Sequence, residues 1–301
     1  MSRIAIMQGR LVPPEGGSIQ CFPRDRWRDE FALAAAAGLD AIEWIYDVHG
    51  RDVNPLATDA GIAEMQALSR DTRVAVVSVC ADYFLDRPVV RVDAETAARL
   101  TAHLAWLIER CGVAGISRMV LPFVDASRIE SADDEHRILD VLARVLPICE
   151  ANRLELHLET SLAPRPFATL LAQLPHPLLR ANYDSGNSAS LGYDVRSELA
   201  AYGSRIGSVH IKDRVRGGST VPLGAGNADL PALFDGLAAL GYAGDFVLQV
   251  ARGAAGDEVA WARQNRALVL RERDRASAAT RQPATDNRQP ATDNRPSRSV
   301  C

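Results

Sequence analysis

The chain has 301 residues, 47% of them hydrophobic, which is enough for the core of a single α/β barrel. Its formal net charge is −4, but residues 275–301 carry five Arg and two Asp, a net +3, which leaves −7 on residues 1–274. This negative net charge of residues 1–274 argues against a nucleic-acid-binding protein, because such proteins usually have a basic surface.

The five cysteines form no CxxC pair, and no apolar run reaches the roughly 18 residues needed to span a bilayer. The first residues also lack the layout of a signal peptide. We therefore expect a cytoplasmic protein with reduced thiols and no membrane partner.

Short apolar runs recur along the chain, and each is followed by a helical pattern. The runs predict eight strands, near residues 4–7, 41–45, 74–80, 119–124, 154–159, 179–184, 206–212 and 246–250. The helical patterns lie near residues 27–37, 59–70, 94–111, 133–150, 166–173, 195–202, 230–240 and 257–271. Alternating strands and helices predict a parallel sheet, and eight such units predict a (β/α)8 TIM barrel. An open doubly wound sheet is the alternative, but the turn after the first strand is not a GxGxxG.

The composition changes near residue 275. Residues 281–287 read RQPATDN, and residues 288–294 repeat them. A polar tandem repeat without apolar periodicity cannot bury a core. We predict one barrel domain, residues 1–274, and a disordered tail, residues 275–301.

Polar side chains end four consecutive strands. In a (β/α)8 barrel the active site lies at the carboxyl ends of the strands, and side-chain alternation shows which residues face inward. The inward residues at these ends are Glu159, Asp184, His210 with Lys212, and Gln249. Each alone could be a core residue or half of a buried ion pair. Together they form an oxygen and nitrogen set suited to Mn²⁺, Mg²⁺, Co²⁺, Fe²⁺ or Zn²⁺.

The pattern Glu159 … Asp184-Ser185-Gly186-Asn187 … His210-Ile211-Lys212-Asp213 … Gln249 resembles the xylose-isomerase-like barrel superfamily, in its sugar (phosphate) isomerase and epimerase branch. The resemblance covers about residues 3–272. It implies one divalent ion held by Glu159, Asp184, His210 and the residue at 249. It also implies proton transfer at carbon through an enediolate, with Glu159 as general base.

Two positions depart from the family pattern. Gln249 stands where a second glutamate is usual, and an amide can offer oxygen to a metal but cannot exchange protons near neutral pH. Glu159 alone would then carry the proton, as in aldose–ketose isomerisation. Asn187 stands where many relatives have histidine, and we expect it to hydrogen-bond a substrate hydroxyl.

Further residues near strand ends are candidates for substrate contact. We expect Glu43 to orient a substrate hydroxyl or Arg10, and His157 to lie one pleat below Glu159 and support the substrate site. Lys212 is a candidate catalytic residue and, like Arg252, a point charge for a phosphate or carboxylate. The glycine-rich loop 223–227 is expected to be a flap that donates backbone N–H groups to the substrate.

The ligand expected from these residues is a small sugar or sugar phosphate, and homo-oligomerisation is left open. Two other functions remain: a metal-dependent dehydratase or lyase acting on a polyol or keto-acid, and a non-catalytic sugar-binding barrel. An abasic-site endonuclease would share the barrel but needs three metals and many histidines. This acidic chain has six histidines, two of them on predicted helices.

Overall fold

The computed structural model of the chain describes residues 2–15 and 17–281. Within them, eight parallel strands close into a barrel in the order β1-β8-β7-β6-β5-β4-β3-β2. The strands are β1 (Ile4–Met7), β2 (Ala41–Ile45), β3 (Ala75–Cys80), β4 (Arg118–Phe123), β5 (Glu155–Thr160), β6 (Leu179–Asp184), β7 (Ile206–Ile211) and β8 (Phe246–Leu248). The predicted (β/α)8 TIM barrel is confirmed.

Helices cover the outside of the barrel. Those among the described residues are α1 (Asp29–Ala37), α2 (Asp59–Thr72), α3 (Tyr83–Asp86), α4 (Ala94–Ala114), α5 (Ala132–Asn152), α6 (Pro164–Gln173), α7 (Ser185–Leu191), α8 (Val195–Tyr202), α9 (Leu230–Ala239) and α10 (Glu258–Arg281). Capping residues set the ends of these helices. In α4, the side chain of Asp93 caps the first turn, and Gly115 ends the helix in a left-handed conformation at φ 77°. Among the described helices, none is both long enough and apolar enough to cross a membrane.

The core lies between the barrel and these helices, and the strands are apolar because both of their faces are covered. Inside the barrel the side chains form layers. One polar layer joins β5, β6 and β7: Ser208 Oγ lies 2.7 Å from both Asn182 Oδ1 and His157 Nδ1. Asn182 in turn donates to Glu159, so this layer supports the strand ends above it.

The structure also contains elements that the sequence did not predict. The helices α3 and α7 have only 4 and 7 residues, too short to show a helical period. A two-stranded hairpin, Asp213–Arg214 with Thr220–Val221, follows β7.

The predicted domain boundary at residue 274 was placed too early. Helix α10 continues to Arg281, and Ala276 is buried at 1% exposure. Residues 275–281 therefore belong to the barrel domain. The rest of the predicted tail, with most of the repeat, lies outside the described residues.

Candidate metal centre and active site

A cavity of about 530 Å³ opens at the carboxyl ends of the strands. Four of the predicted site residues line it: Glu159, Asn187, Lys212 and Gln249. Two others, Asp184 and His210, are buried next to it, at 5% and 0% exposure. The fold therefore brings the polar strand ends to one place.

Three residues form a compact set of potential metal ligands. Glu159, Asp184 and His210 each offer one oxygen or nitrogen atom, and these atoms lie within 4.8 Å of one another. Register explains part of this, because Asp184 pairs with His210 across β6 and β7. Glu159 lies near the end of the next strand, β5. Ionisable groups this close and this buried require mutual pairing or a cation.

The imidazole of His210 has a fixed orientation. Its Nε2 lies 2.7 Å from Oε1 of Glu43, whose other oxygen accepts a hydrogen bond of 2.6 Å from Ser78 Oγ. Its Nδ1 lies 3.3 Å from Oε2 of Glu159 but has no hydrogen-bond partner among the described residues. A carboxylate on one ring nitrogen leaves the other available to a metal, as in carboxylate–histidine–metal arrangements.

His210, Glu43 and Glu159 affect one another's ionisation. Burial opposes protonation of His210, but Glu43 and Glu159 outweigh it and raise the pKa of His210 well above its usual value. Burial likewise opposes ionisation of both carboxyl groups, and contact with His210 reverses this and lowers the pKa of each. The two carboxylates therefore favour a positive charge between them.

Asp184 has a structural role as well as a place in this set. Its Oδ1 accepts hydrogen bonds of 2.8 Å from the backbone N–H groups of Gly186 and Asn187, which caps helix α7. Gly186 is required here because a Cβ atom would lie 2.5 Å from Cγ of Lys212. The Asp-Ser-Gly-Asn sequence thus turns the chain into α7 and brings Lys212 close to Asp184.

Amide groups hold the carboxylate of Glu159. Asn182 Nδ2 donates to Oε2 at 2.8 Å, and Asn187 Nδ2 donates to Oε1 at 2.7 Å. Both bonds favour the ionised form, because an ionised carboxylate only accepts. Glu159 is thus held as a carboxylate on the wall of the cavity.

The ammonium group of Lys212 lies among three oxygen atoms. Nζ is 3.3 Å from Oδ2 of Asp184, 3.3 Å from Oδ1 of Asn187 and 3.2 Å from Oε1 of Gln249. Gln249 Nε2 then donates to Gln20 Oε1 at 3.0 Å. Gln249 thus faces the cavity. Its Oε1, the atom that could bind a metal, accepts a hydrogen bond from Lys212 instead.

The donor set fits a divalent ion. Two buried carboxylates and a buried imidazole with an available Nδ1 supply hard oxygen and borderline nitrogen ligands. A cation at this position would satisfy Nδ1 and neutralise the carboxylates that now share His210 and Lys212.

Comparison with known proteins gives the family. The family described as xylose isomerase-like TIM barrel matches residues 31–272. The chain belongs to this family.

Two of the similar proteins carry the names of sugar epimerases. L-ribulose-5-phosphate 3-epimerase UlaE of Salmonella paratyphi A is 25% identical over 244 residues, covering 74% of this chain and 82% of the relative. A solved structure of L-ribulose 3-epimerase has a TM-score of 0.72 at 20% identity and covers 93% of this chain and 97% of its own. A xylose isomerase-like TIM barrel protein from Mycobacterium smegmatis in complex with magnesium has a TM-score of 0.68 at 19% identity, covering 92% and 98%.

The structure corrects three expected substrate contacts in this family member. Glu43 is fully buried and bonds His210 and Ser78, so it does not orient Arg10 or reach the cavity. His157 is fully buried between Ser208 and Glu155, in the layer beneath the site. The guanidinium of Arg252 donates to backbone carbonyls of Gly9, Val12 and Ile19, which fixes the loop after β1.

Three polar residues of the cavity wall, Gln20, Asp82 and Arg214, were not predicted as site residues. Asp82 follows β3, so the rule of polar strand ends pointed to it. Gln20 lies in the long loop after β1, where no sequence signal marks it; its Nε2 donates to Oδ2 of Asp82 at 2.7 Å. Arg214, on the hairpin, donates to Oδ1 of Asn187 at 2.9 Å.

Proposed function

We propose that this protein is a divalent-metal-dependent isomerase or epimerase of a sugar. Glu159, Asp184 and His210 would hold the ion, with Gln249 as a fourth ligand if Lys212 moves away from its oxygen. The donor set is compatible with Mn²⁺, Mg²⁺, Co²⁺, Fe²⁺ or Zn²⁺. The relatives that carry sugar epimerase names favour this function over a dehydratase or a non-catalytic sugar-binding barrel.

One observation carries the proposal. His210 is fully buried, its Nε2 is fixed by Glu43, and its Nδ1 lies without a hydrogen-bond partner beside Glu159 and Asp184, as far as the described residues go. Nδ1 faces Oε2 of Glu159 at 3.3 Å without the geometry of a hydrogen bond, and a metal ion there would satisfy this buried nitrogen. Of these ligands, Glu159 lines a cavity large enough for a small sugar.

The chemistry follows from the chain's own residues. A divalent ion would polarise a sugar carbonyl and stabilise the adjoining oxyanion. Glu159, held ionised by Asn182 and Asn187, would take the proton from the carbon next to the carbonyl and return it after the enediolate forms. Lys212 would place a positive charge near the developing negative charge, and Asn187 would hydrogen-bond a hydroxyl.

The amide at Gln249 favours one-carboxylate chemistry. Glu159 can move a proton between neighbouring carbons on one face of the enediolate. Inversion at a single carbon instead requires a second acid on the opposite face, and Gln249 cannot be that acid. We therefore infer that aldose–ketose isomerisation is the main reaction.

The test combines metal removal with hydrogen exchange. The purified protein should contain one divalent ion per chain, and a ketose in D₂O should exchange its carbon-bound hydrogen only with metal present. Glu159→Gln should abolish this exchange while the sugar still binds. Glu155→Gln is the matched control on the same strand, because Glu155 contacts His157 and lies away from the cavity. Full exchange by metal-free protein would contradict the proposal.

A further inference from the structure

The cavity wall is acidic. Among the described residues that line it, carboxylates outnumber Lys and Arg side chains by six to three. The carboxylates belong to Glu15, Asp47, Asp82, Asp86, Asp125 and Glu159, and the cations to Arg10, Lys212 and Arg214. Even with a bound divalent ion, the net charge of these wall side chains would stay negative. A doubly charged phosphate ester entering the cavity would be repelled.

The three cations already have protein acceptors. Arg10 donates to the backbone carbonyl of Val250 at 3.0 Å and to Oε1 of Gln20 at 3.1 Å. Lys212 is surrounded by the three oxygens described above. Arg214 donates to Asn187 and, through Nε and Nη2, to the carbonyl of Gly218 at 3.1 and 2.7 Å. Binding a phosphate would break these bonds.

The backbone of the loop after β7 is also occupied. TIM barrels often hold phosphate on N–H groups of the loops after strands seven and eight. Here the fully buried Asp213 accepts from the N–H groups of Gly224, Gly226 and Ala228 at 2.8, 2.9 and 3.0 Å. The expectation that this loop donates N–H groups to substrate is therefore wrong.

Charged side chains also lie at the loop after β8 and at the helix starts nearby. Asp229 caps α9 by accepting from the N–H of Ala232 at 3.0 Å. After β8, Arg252 is bonded to the loop following β1, and Glu258 begins α10 with a negative charge. Carboxylates of the protein thus occupy the N–H groups of the loop after β7 and of the start of α9, and the first turn of α10 is acidic.

What the wall does offer suits hydroxyl groups. Gln249, Gln20 and Asp82 form a continuous chain of amide and carboxylate groups along it, joined at 3.0 and 2.7 Å. Among the described residues, each of these bonds uses one N–H of an amide group that carries two, so Gln249 and Gln20 each keep a second N–H for a sugar hydroxyl, and the carboxylate of Asp82 can accept from one. We propose that the substrate is an unphosphorylated sugar, bound through its hydroxyls along this chain; the inference rests on the proposed isomerase function.

The experiment compares matched pairs of neutral and phosphorylated sugars: L-ribulose with L-ribulose 5-phosphate, and D-psicose with D-psicose 6-phosphate. We expect kcat/KM for hydrogen exchange to be at least 100-fold higher for a neutral sugar than for its ester. Calorimetry should show the ester binding at least tenfold more weakly. An ester that reacts or binds as well as its neutral partner overturns the inference.

The binding measurement tests the substrate class separately from the proposed isomerase function. If neither member of a pair exchanges hydrogen but the neutral sugar binds more tightly, the isomerase function fails and the substrate class stands. If none of the four ligands binds, the substrate class is overturned too.

Variants test the physical cause. Asp86 and Asp125 are exposed at the cavity rim, so the double variant Asp86→Asn/Asp125→Asn should reduce the preference for the neutral sugar over its ester about tenfold. Asp140→Asn, on the exposed face of α5, is the matched control and should leave the preference unchanged. A double variant with the preference of the wild type would show that cavity charge does not exclude the ester.

Discussion

Nε2 of His210 and Oε1 of Glu43 lie 2.7 Å apart in the fully buried interior of the barrel, although 167 residues separate them in the chain. This contact leaves Nδ1 of His210 beside Glu159 and Asp184. Glu43 therefore acts through His210 rather than on the substrate, and it should control metal affinity.

Glu43→Ala should weaken metal binding ten- to a hundredfold, the usual effect of removing the partner of a histidine ligand. Glu43→Gln keeps an oxygen acceptor for Nε2–H and should cost less. Titration calorimetry with Mn²⁺ would measure both. Equal affinity in wild type and Glu43→Ala would remove Glu43 from this role.

Two substitutions of Asp184 should separate its two roles. Both Asp184→Asn and Asp184→Ala should lose most metal affinity, because each removes a negative ligand. Only Asp184→Ala should also lose the cap of α7 and about 1 kcal/mol of stability, since Asn still accepts from Gly186 and Asn187. Metal titrations and unfolding midpoints of metal-free protein test this, and equal midpoints for the two variants would argue against the capping role.

Gln249→Glu should alter the products. The variant places a carboxylate at the end of β8, next to Lys212, whose Nζ lies 3.2 Å from Oε1 of the present amide. A second proton-exchanging group should raise the ratio of epimerised to isomerised product, measured by NMR of the sugar mixture. An unchanged ratio would mean that the amide is not what limits inversion.

Glu30 should make stability depend on pH. Burial raises its pKa from 4.5 to about 7, although its Oε1 accepts from the N–H groups of Gly9 and Leu11 at 2.7 and 3.3 Å. A carboxyl group whose pKa is higher in the folded state stabilises the fold at low pH. That contribution should be complete below about pH 4.5 and lost as the pH rises to about 7, a change of about 3 kcal/mol.

Glu30→Gln tests this directly, because Gln keeps the oxygen that accepts from Gly9 and cannot ionise. The stability of the variant relative to wild type should rise between pH 5 and pH 8. Unfolding midpoints at unit pH steps would measure the difference. A constant difference across this range would show that Glu30 does not titrate as its burial implies.

The barrel and much of its site could be predicted because both follow from short-range rules. Strands buried on both faces leave apolar runs in the sequence, and parallel strands bring their carboxyl ends to one side. Glu159, Asp184 and His210 stood out because apolar strands ended in them. Helices α3 and α7 could not be predicted, because fewer than two turns give no periodic signal.

The partners of the polar side chains could not be predicted in the same way. Arg252 looked like a substrate cation, yet its donors are taken by a loop some 240 residues away in the chain. Gly224 and Gly226 looked like a substrate flap, yet Asp213 occupies their N–H groups. Hydrogen-bond donors are committed by whatever acceptor the fold brings near, and residue type does not reveal that acceptor.

The sequence by itself determined the eightfold alternation and the polar strand ends, because both depend on residue order and side-chain alternation along single strands. Its resemblance to the family added that Gln249 stands where a second glutamate is usual. Only the tertiary structure decided which nitrogen of His210 is available, that Glu43 fixes it, and that the cations of the cavity are already paired. Those relationships join strands and loops distant in the chain, so they depend on barrel register and on three-dimensional packing.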